Sequence, residues 1–351
     1  MEKENIYPMI QAVLAAALFG ASAPVAKLFL SEVEPIPMAS LLYLGTGAGL
    51  LLLRGIFRLG TGYSNAEAKI SKSDYKWLLW AILAGGVAAP IVLMFSLRGT
   101  PAATASLLLN FEVASTTLIA ALFFREAIGK RIWLAVAAIT IACVLLSWNA
   151  SGEWGISTAA LGVLGACVLW GMDNNFTRNI SAKDPLAIAT IKGIGAGSFS
   201  LVLALLLHDS FPDFKIMFGA MLLGFFSYGL SIVLFILAMR NLGATRAGAF
   251  FGIAPFAGVL LSFLLFREVP DILFFVSLLI MVTGAALLLG EKHSHMHFHL
   301  MEHEHRHSHN DRHHMHRHAE GETSEHSHLH KHEISEGSHP HTPDIHHRHE
   351  H

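Results

Sequence analysis

Charge is scarce in this chain: Asp, Glu, Lys and Arg together make up only 14% of its 351 residues. An ordinary globular domain carries about 25%, so a soluble catalytic domain is excluded for most of the length. Cysteine is nearly missing as well. Cys143 and Cys167 are the only two, which rules out a disulfide framework, and both fall in apolar runs where they read as small packing residues. Ahead of residue 291 histidine occurs once, at His208. No nucleotide-binding loop, His-Glu-x-x-His, Cys-x-x-Cys or catalytic triad is present. The chain does not read as an enzyme, and nothing in it asks for nucleic acid as a partner.

What is there is hydrophobic sequence, 53% of the chain. A membrane span needs about 20 mostly apolar residues. Ten segments qualify: roughly 8–30, 37–57, 76–98, 101–124, 131–148, 157–178, 185–207, 215–239, 244–266 and 270–290. These runs are too long for barrel strands, and lipid admits only helices or closed barrels. The expected fold is an all-α polytopic membrane protein of ten transmembrane helices, with the lipid bilayer as its main partner. The N-terminal segment lacks a cleavage site and reads as a retained anchor.

Lys and Arg set the orientation. With both ends in the cytoplasm, Lys3, Arg54, Arg58, Lys69, Lys72, Lys76, Arg125, Lys130, Arg131, Arg178, Lys183, Arg240, Arg246 and Lys292 face inward. Only Lys27, Arg98, Lys215 and Arg267 face outward. The expectation is a multi-pass protein of the cell (inner) membrane with both termini cytoplasmic.

The membrane part repeats. Shifted by 142 residues, Arg98 falls on Arg240, Ala102 on Ala244, Ala105 on Ala247, Leu118 on Leu260 and Leu122 on Leu264. Phe124-Arg125-Glu126 falls on Phe266-Arg267-Glu268. Phe19-Gly20 likewise resembles Trp170-Gly171, each followed by a base, Lys27 or Arg178. Five spans per unit is an odd number, so the second unit enters the membrane inverted. Inverted repeats mark secondary transporters, with the substrate site near mid-membrane between the halves.

Residues 105–133 and 247–275 resemble the two repeats of the EamA family in the drug/metabolite transporter superfamily. The resemblance rests on a small-residue start, a central Ala254-Pro255, and an apolar run closing on Arg-Glu at Glu126 and Glu268. The first half has Val113 where that proline stands. The resemblance spans about 8–290. It implies two units, 1–148 and 149–290, followed by a tail at 291–351, and it implies transport of a small solute by alternating access. It does not specify the solute.

Ionisable and amide groups at membrane depth are costly and therefore functional candidates. Glu112 sits halfway along the fourth span and could carry a proton or meet a cation. Asn110, two residues away, need not share its face. Asp173, Asn174 and Asn175 lie near one end of the sixth span. Lys192 lies about two turns into the seventh, at a depth matching Asp173 at 1.5 Å per residue. An Asp173–Lys192 pair is either a structural lock or a gate opened by substrate. Gly45-x-x-x-Gly49, Gly193-x-x-x-Gly197 and Gly248-x-x-x-Gly252 let helices approach closely. One monomer suffices for a pathway, and such a face would also permit a homodimer. Pro24, Pro90 and Pro255 interrupt the first, third and ninth spans.

The tail holds 22 of the 23 histidines. Many alternate: His293, His295, His297 and His299; then His303, His305, His307 and His309; then His313, His314, His316 and His318. Imidazole suits Zn, Ni, Co and Cu. Pairs one residue apart would make many weak, overlapping metal sites, with no cofactor obligatory. Irregular spacing among Glu and Arg argues against an affinity tag. The composition forbids a packed core, so the tail is expected to be disordered. The substrate is then a small organic solute, exported while the tail binds metal. The alternative is that a divalent metal ion is itself exported. A membrane-tethered metal buffer ranks last, because it gives ten spans no purpose.

Overall fold

The structure, a computed structural model, describes residues 6–61, 70–124, 128–148, 157–180, 183–242, 244–288, 293–298, 302–308, 325–331 and 336–341. Helix occupies each of the ten expected segments. The helices are α1 (Ile6–Gly20), α2 (Ser22–Phe29), α3 (Pro35–Thr61), α4 (Tyr75–Ala81), α5 (Ala89–Gly99), α6 (Ala102–Leu108), α7 (Phe111–Phe124) and α8 (Lys130–Leu146). They continue with α9 (Thr158–Arg178), α10 (Pro185–Leu206), α11 (Phe214–Gly224), α12 (Ser231–Leu242), α13 (Ala244–Phe251), α14 (Ala254–Phe266) and α15 (Ile272–Leu288). A π-helical segment, Ile82–Ala88, joins α4 to α5, and another, Phe225–Leu230, joins α11 to α12.

Six stretches are by length and composition able to cross a membrane: Ile6–Phe29, Pro35–Ile56, Lys72–Gly99, Ala102–Phe124, Pro185–Leu206 and Phe214–Met239. Ala254–Phe266 and Ile272–Leu288 are shorter and apolar. The protein is a multi-pass membrane protein. Many of its large side chains face outward, where lipid replaces water: Leu52 is 70% exposed and Phe123 is 78% exposed. The repeat partners Leu122 and Leu264 are both 70% exposed. Alanine fills much of the interior, including Ala12, Ala15, Ala105, Ala142 and Ala166. Lipid offers no hydrophobic drive between helices, so close backbone approach through small residues does the packing.

Local chemistry starts and breaks the helices. Asp184 accepts from the N–H groups of Leu186 (2.9 Å) and Ala187 (3.2 Å), and Pro185 opens α10 where its missing N–H costs nothing. Ser157 accepts from the Ala160 N–H at the start of α9. The prolines sit in the first turn after a break. Pro24 follows the interruption at Ala21, Pro90 follows the first π segment, and Pro255 follows the turn at Gly252–Ile253. The expected continuous fourth span is also broken, at Leu109–Asn110.

The helices form two interlocked groups. In one, α4, α5 and α7 pack on α9, and Ile82–Ala88 packs on both α9 and α10. In the other, α12 and α14 pack on α1, and Phe225–Leu230 packs on α1 and α3. The second group is the first with the repeat units exchanged. The pairs α3–α10, α8–α15 and α6–α14 tie the groups together. Glycines make the crossings close. A Cβ on Gly193 would fall 2.6 Å from the Gly47 nitrogen, and one on Gly45 would fall 2.0 Å from the Met221 carbonyl oxygen. Gly45-x-x-x-Gly49 and Gly193-x-x-x-Gly197 thus serve packing within the chain. A Cβ on Gly248 would meet nothing within 4 Å.

In the tail, four short segments are described by backbone pairing: β1 (His293–Phe298), β2 (Glu302–Ser308), β3 (Glu325–Lys331) and β4 (Glu336–His341). β1 pairs antiparallel with β4, and β2 with β3. The register sets His303 opposite His330, His305 opposite His328 and His307 opposite His326. The His-x-His alternation has the two-residue period of a strand, which suits such ladders. His299, His309, His313, His314, His316 and His318 lie outside the described residues, as does Glu126.

Candidate functional site

The centre of the molecule is organised around a carbonyl. In Ile82–Ala88 the hydrogen bonds run five residues apart, with the Ala89 N–H donating to the Ala84 carbonyl. The next bond in that pattern would reach Gly85 from residue 90, which is Pro90 and has no N–H. The freed Gly85 carbonyl accepts from outside its own helix instead. The Tyr43 hydroxyl of α3 donates at 2.7 Å and the Trp170 indole N–H of α9 donates at 2.9 Å. Both lone pairs of the oxygen are used. This joint links α3 and α9, which belong to different repeat units.

Gly85 also makes room for charge. A Cβ there would lie 2.0 Å from Asp173 Oδ2 and 2.4 Å from the Asp173 Cβ, so no other residue leaves space for this carboxylate. Lys192 Nζ of α10 donates to both Asp173 oxygens at 2.6 Å, and the Thr177 hydroxyl adds 2.9 Å to Oδ1. The Asp173–Lys192 pair read from matching depths is formed, and it is largely withdrawn from solvent, with side chains 8% and 18% exposed. In such surroundings a carboxylate and an ammonium persist only together.

Glu112 stands on the first turn of α7, just after the break at Leu109–Asn110. The Asn174 amide of α9 donates to Glu112 Oε1 at 2.9 Å and to Thr116 Oγ1 at 3.1 Å. Asn175 donates to the Thr116 carbonyl at 3.0 Å and to the Gly171 carbonyl at 2.8 Å. Glu112 is half-buried, and Asn174 is exposed. Among the described residues no Lys or Arg is bonded to Glu112. Asn110 takes no part, since its amide bonds locally to the Leu107 carbonyl at 3.3 Å. Glu112, Asp173, Asn174, Asn175 and Lys192 therefore gather where α7, α9 and α10 meet the first π segment, and Asn110 serves the helix break.

Aromatic rings border this polar cluster. Tyr43 stacks on Tyr228 with centroids 6.0 Å apart. Phe19 meets Tyr228 edge-on at 5.9 Å and Phe251 at 5.4 Å, and Phe251 meets Phe235 at 4.5 Å. Glu112 lies within electrostatic reach of both tyrosines, and Asp173 within reach of Tyr43. No sequence pattern singles out Gly85, Tyr43, Tyr228 or Thr116. The one available signal was Pro90 behind Gly85-Gly86, which a π segment turns into a free carbonyl.

A second polar cluster closes one end of the bundle. Glu268 accepts from the Ala102 N–H at 2.9 Å and the Ala103 N–H at 3.1 Å, filling the open first turn of α6. Arg267 adopts φ 50° and ψ 33° there, a left-handed turn that ends α14 just before Glu268. Lys27 donates to the Thr100 carbonyl beside it. Arg98 pairs with Glu34 at 3.0 Å.

Cys143 and Cys167 are buried and unlinked. Among the described residues no group of three His, Cys, Asp or Glu side chains could hold a metal ion.

A crystal structure of a protein 18% identical in sequence matches this fold with a TM-score of 0.55, over 79% of this chain and 95% of that one. An uncharacterized transporter of Methanothermobacter thermautotrophicus (strain ATCC 29096 / DSM 1053 / JCM 10044 / NBRC 100330 / Delta H) is 28% identical over 297 residues. That is 81% of this chain and 86% of that protein. The model of the EamA-like transporter family matches twice, over residues 6–148 and 157–290. With two matches that together cover most of its length, the chain belongs to the EamA-like transporter family.

Proposed function

We propose that this protein is a secondary transporter that exports a small organic solute by alternating access, crossing the cell (inner) membrane ten times with both termini in the cytoplasm. One observation carries the reading: Glu112 of one repeat unit and Asn174 of the other share a hydrogen bond at 2.9 Å, in the same cluster as the largely buried Asp173–Lys192 pair. A bilayer tolerates such groups where a pathway uses them. The interlocked packing supplies the motion. Each unit lends helices to both groups, so a rocking of one unit against the other reshapes the space around the Gly85 carbonyl. Glu112, Asp173, Asn174, Asn175 and Lys192 line the path, and Asn110 lies at its edge as a hinge.

The tail binds divalent transition metal, Ni, Co, Zn or Cu, and regulates the carrier. Its support is the His-x-His pattern from His293 to His318 and the ladder register over β2 and β3. That same pattern favours a second reading, in which the metal ion is the exported substrate. The membrane core speaks against it, since among the described residues it gathers no three metal-ligating side chains.

The test is metal content and tolerance in a metal-sensitive bacterial host expressing residues 1–351, residues 1–290 or no insert, with Ni, Co, Zn and Cu measured by elemental analysis. Equal metal content in all three strains is expected. A metal lowered by the full chain and not by the truncation would replace the organic solute with the ion.

A further inference from the structure

We propose that the transported solute is an organic cation, a protonated amine carried on a flat apolar body. The inference rests on the central cluster being the solute path, and it follows from counting which charges there are already satisfied. Lys192 spends its charge on Asp173 through two contacts of 2.6 Å, so this pair closes on itself. What remains is the Glu112 carboxyl, whose hydrogen bond from Asn174 comes from a neutral amide. No Lys or Arg among the described residues is bonded to it. Among the described residues, an anionic solute finds no uncommitted cation in this cluster. A bare divalent ion finds no three ligands among the described residues. An ammonium group finds one carboxyl that forms no ion pair of its own among the described residues, Lys192 reaching it only at a distance and together with the neighbouring Asp173.

The apolar body is indicated by the rings. Tyr43 and Trp170 have both given their polar hydrogens to the Gly85 carbonyl. Neither keeps a free donor, so a ligand reaching them would meet ring rather than a polar hydrogen. Tyr43 stacks on Tyr228 at 6.0 Å, and Glu112 lies within electrostatic reach of both. Aromatic faces carry the negative part of a quadrupole and attract cations most strongly away from water. Carboxylate and rings therefore select the same ligand, one end by charge and the other by stacking.

The experiment uses the full chain in lipid nanodiscs and reads the thermal unfolding midpoint against probe concentration. The probes share one ring and differ in charge: phenethylamine, phenethyl alcohol and 3-phenylpropionate. Tryptamine and cyclohexylethylamine extend the amine series. Saturable stabilisation by amines alone is expected, with Glu112→Gln weakening it by about tenfold or more and Glu112→Asp retaining part of it. Equal midpoints of the unliganded variants establish that the Gln form is folded. Stabilisation by the alcohol or the carboxylate as strong as by the amine overturns the proposal. So does unchanged amine binding in Glu112→Gln, or no stabilisation by any amine. Counterflow of the same probes in proteoliposomes separates the two claims. Uptake of the carboxylate alone sinks the cation and leaves the transporter standing. Amine binding without uptake of any probe keeps the cation site and sinks the transporter.

Discussion

The two groups of helices use the same backbone device and give it different chemistry. In the group built on α9, the π segment Ile82–Ala88 frees the Gly85 carbonyl, and two side chains from different repeat units seize it. In the group built on α1, the π segment Phe225–Leu230 contains Ser227 at the repeat-equivalent position. Its carbonyl accepts locally from the hydroxyl of Ser231, the first residue of α12. Around the first lie Glu112, Asp173 and Lys192. Around the second lie Phe19, Tyr228, Phe235 and Phe251. Where Glu112 stands in one unit, the 142-residue shift puts Ala254 in the other. Repetition thus supplied a symmetric frame, and a few substitutions made one side charged and the other aromatic. On the proposed reading, a site between them would bind a solute with two unlike ends.

The largest difference between the sides is expected at glycine. Gly85→Ala sets a Cβ 2.0 Å from Asp173 Oδ2 and 2.4 Å from its Cβ, so the ion pair must leave its place. Gly229→Ala, in the other π segment, meets Phe225 at an ordinary 3.4 Å. Thermal unfolding in lipid nanodiscs should show Gly85→Ala grossly destabilised or absent from the membrane, and Gly229→Ala near wild type. Equal effects would break the comparison.

Next comes Lys192→Met, which leaves Asp173 buried without its cation. Removing one partner of a buried pair costs about 3–5 kcal/mol. Adding Asp173→Asn should restore most of the stability. If the double variant also restores transport, the pair is a lock; if it folds and does not transport, the pair is a gate. A fully stable single variant would mean that water reaches the pair freely.

The smallest effects sharpen the contrast. Tyr43→Phe removes one of two donors to the Gly85 carbonyl, and Ser231→Ala removes the donor to Ser227. Each hydrogen bond contributes about 0.5–1.5 kcal/mol, so unfolding midpoints should fall by similar small amounts. Transport should suffer in Tyr43→Phe alone, because that bond ties α3 to the first π segment across 42 residues of chain, whereas the Ser231 bond is local to its own helix. Matching transport losses would show that the two sides share one role.

Much of the fold was legible because lipid makes local sequence decisive. A backbone with no water to bond must coil on itself, so each long apolar run becomes helix wherever it lies in the bundle. The Asp173–Lys192 pair was legible for a related reason. The two residues stand on consecutive spans, and rise per residue fixes their depths. The bond between Asn174 and Glu112 was not legible, since 62 residues and two turns of the chain separate them. The break at Leu109–Asn110 carries no proline, so nothing in the local sequence announces it. The tail shows the opposite limit: its composition argued against a packed core, and two-stranded ladders can form without one.

By itself the sequence determined the class of molecule, the position of its helices, the repeat, the family and the few ionisable residues kept inside the membrane. These follow from transfer energies and periodicity, which act residue by residue. Tertiary structure alone decided that Pro90 would hand the Gly85 carbonyl to Tyr43 and Trp170, that Lys192 would be consumed by Asp173, and that Glu112 would be left with an amide. Those outcomes depend on which helices cross, at what depth and through which glycine. No single stretch of sequence carries that information, because a crossing belongs to two helices at once.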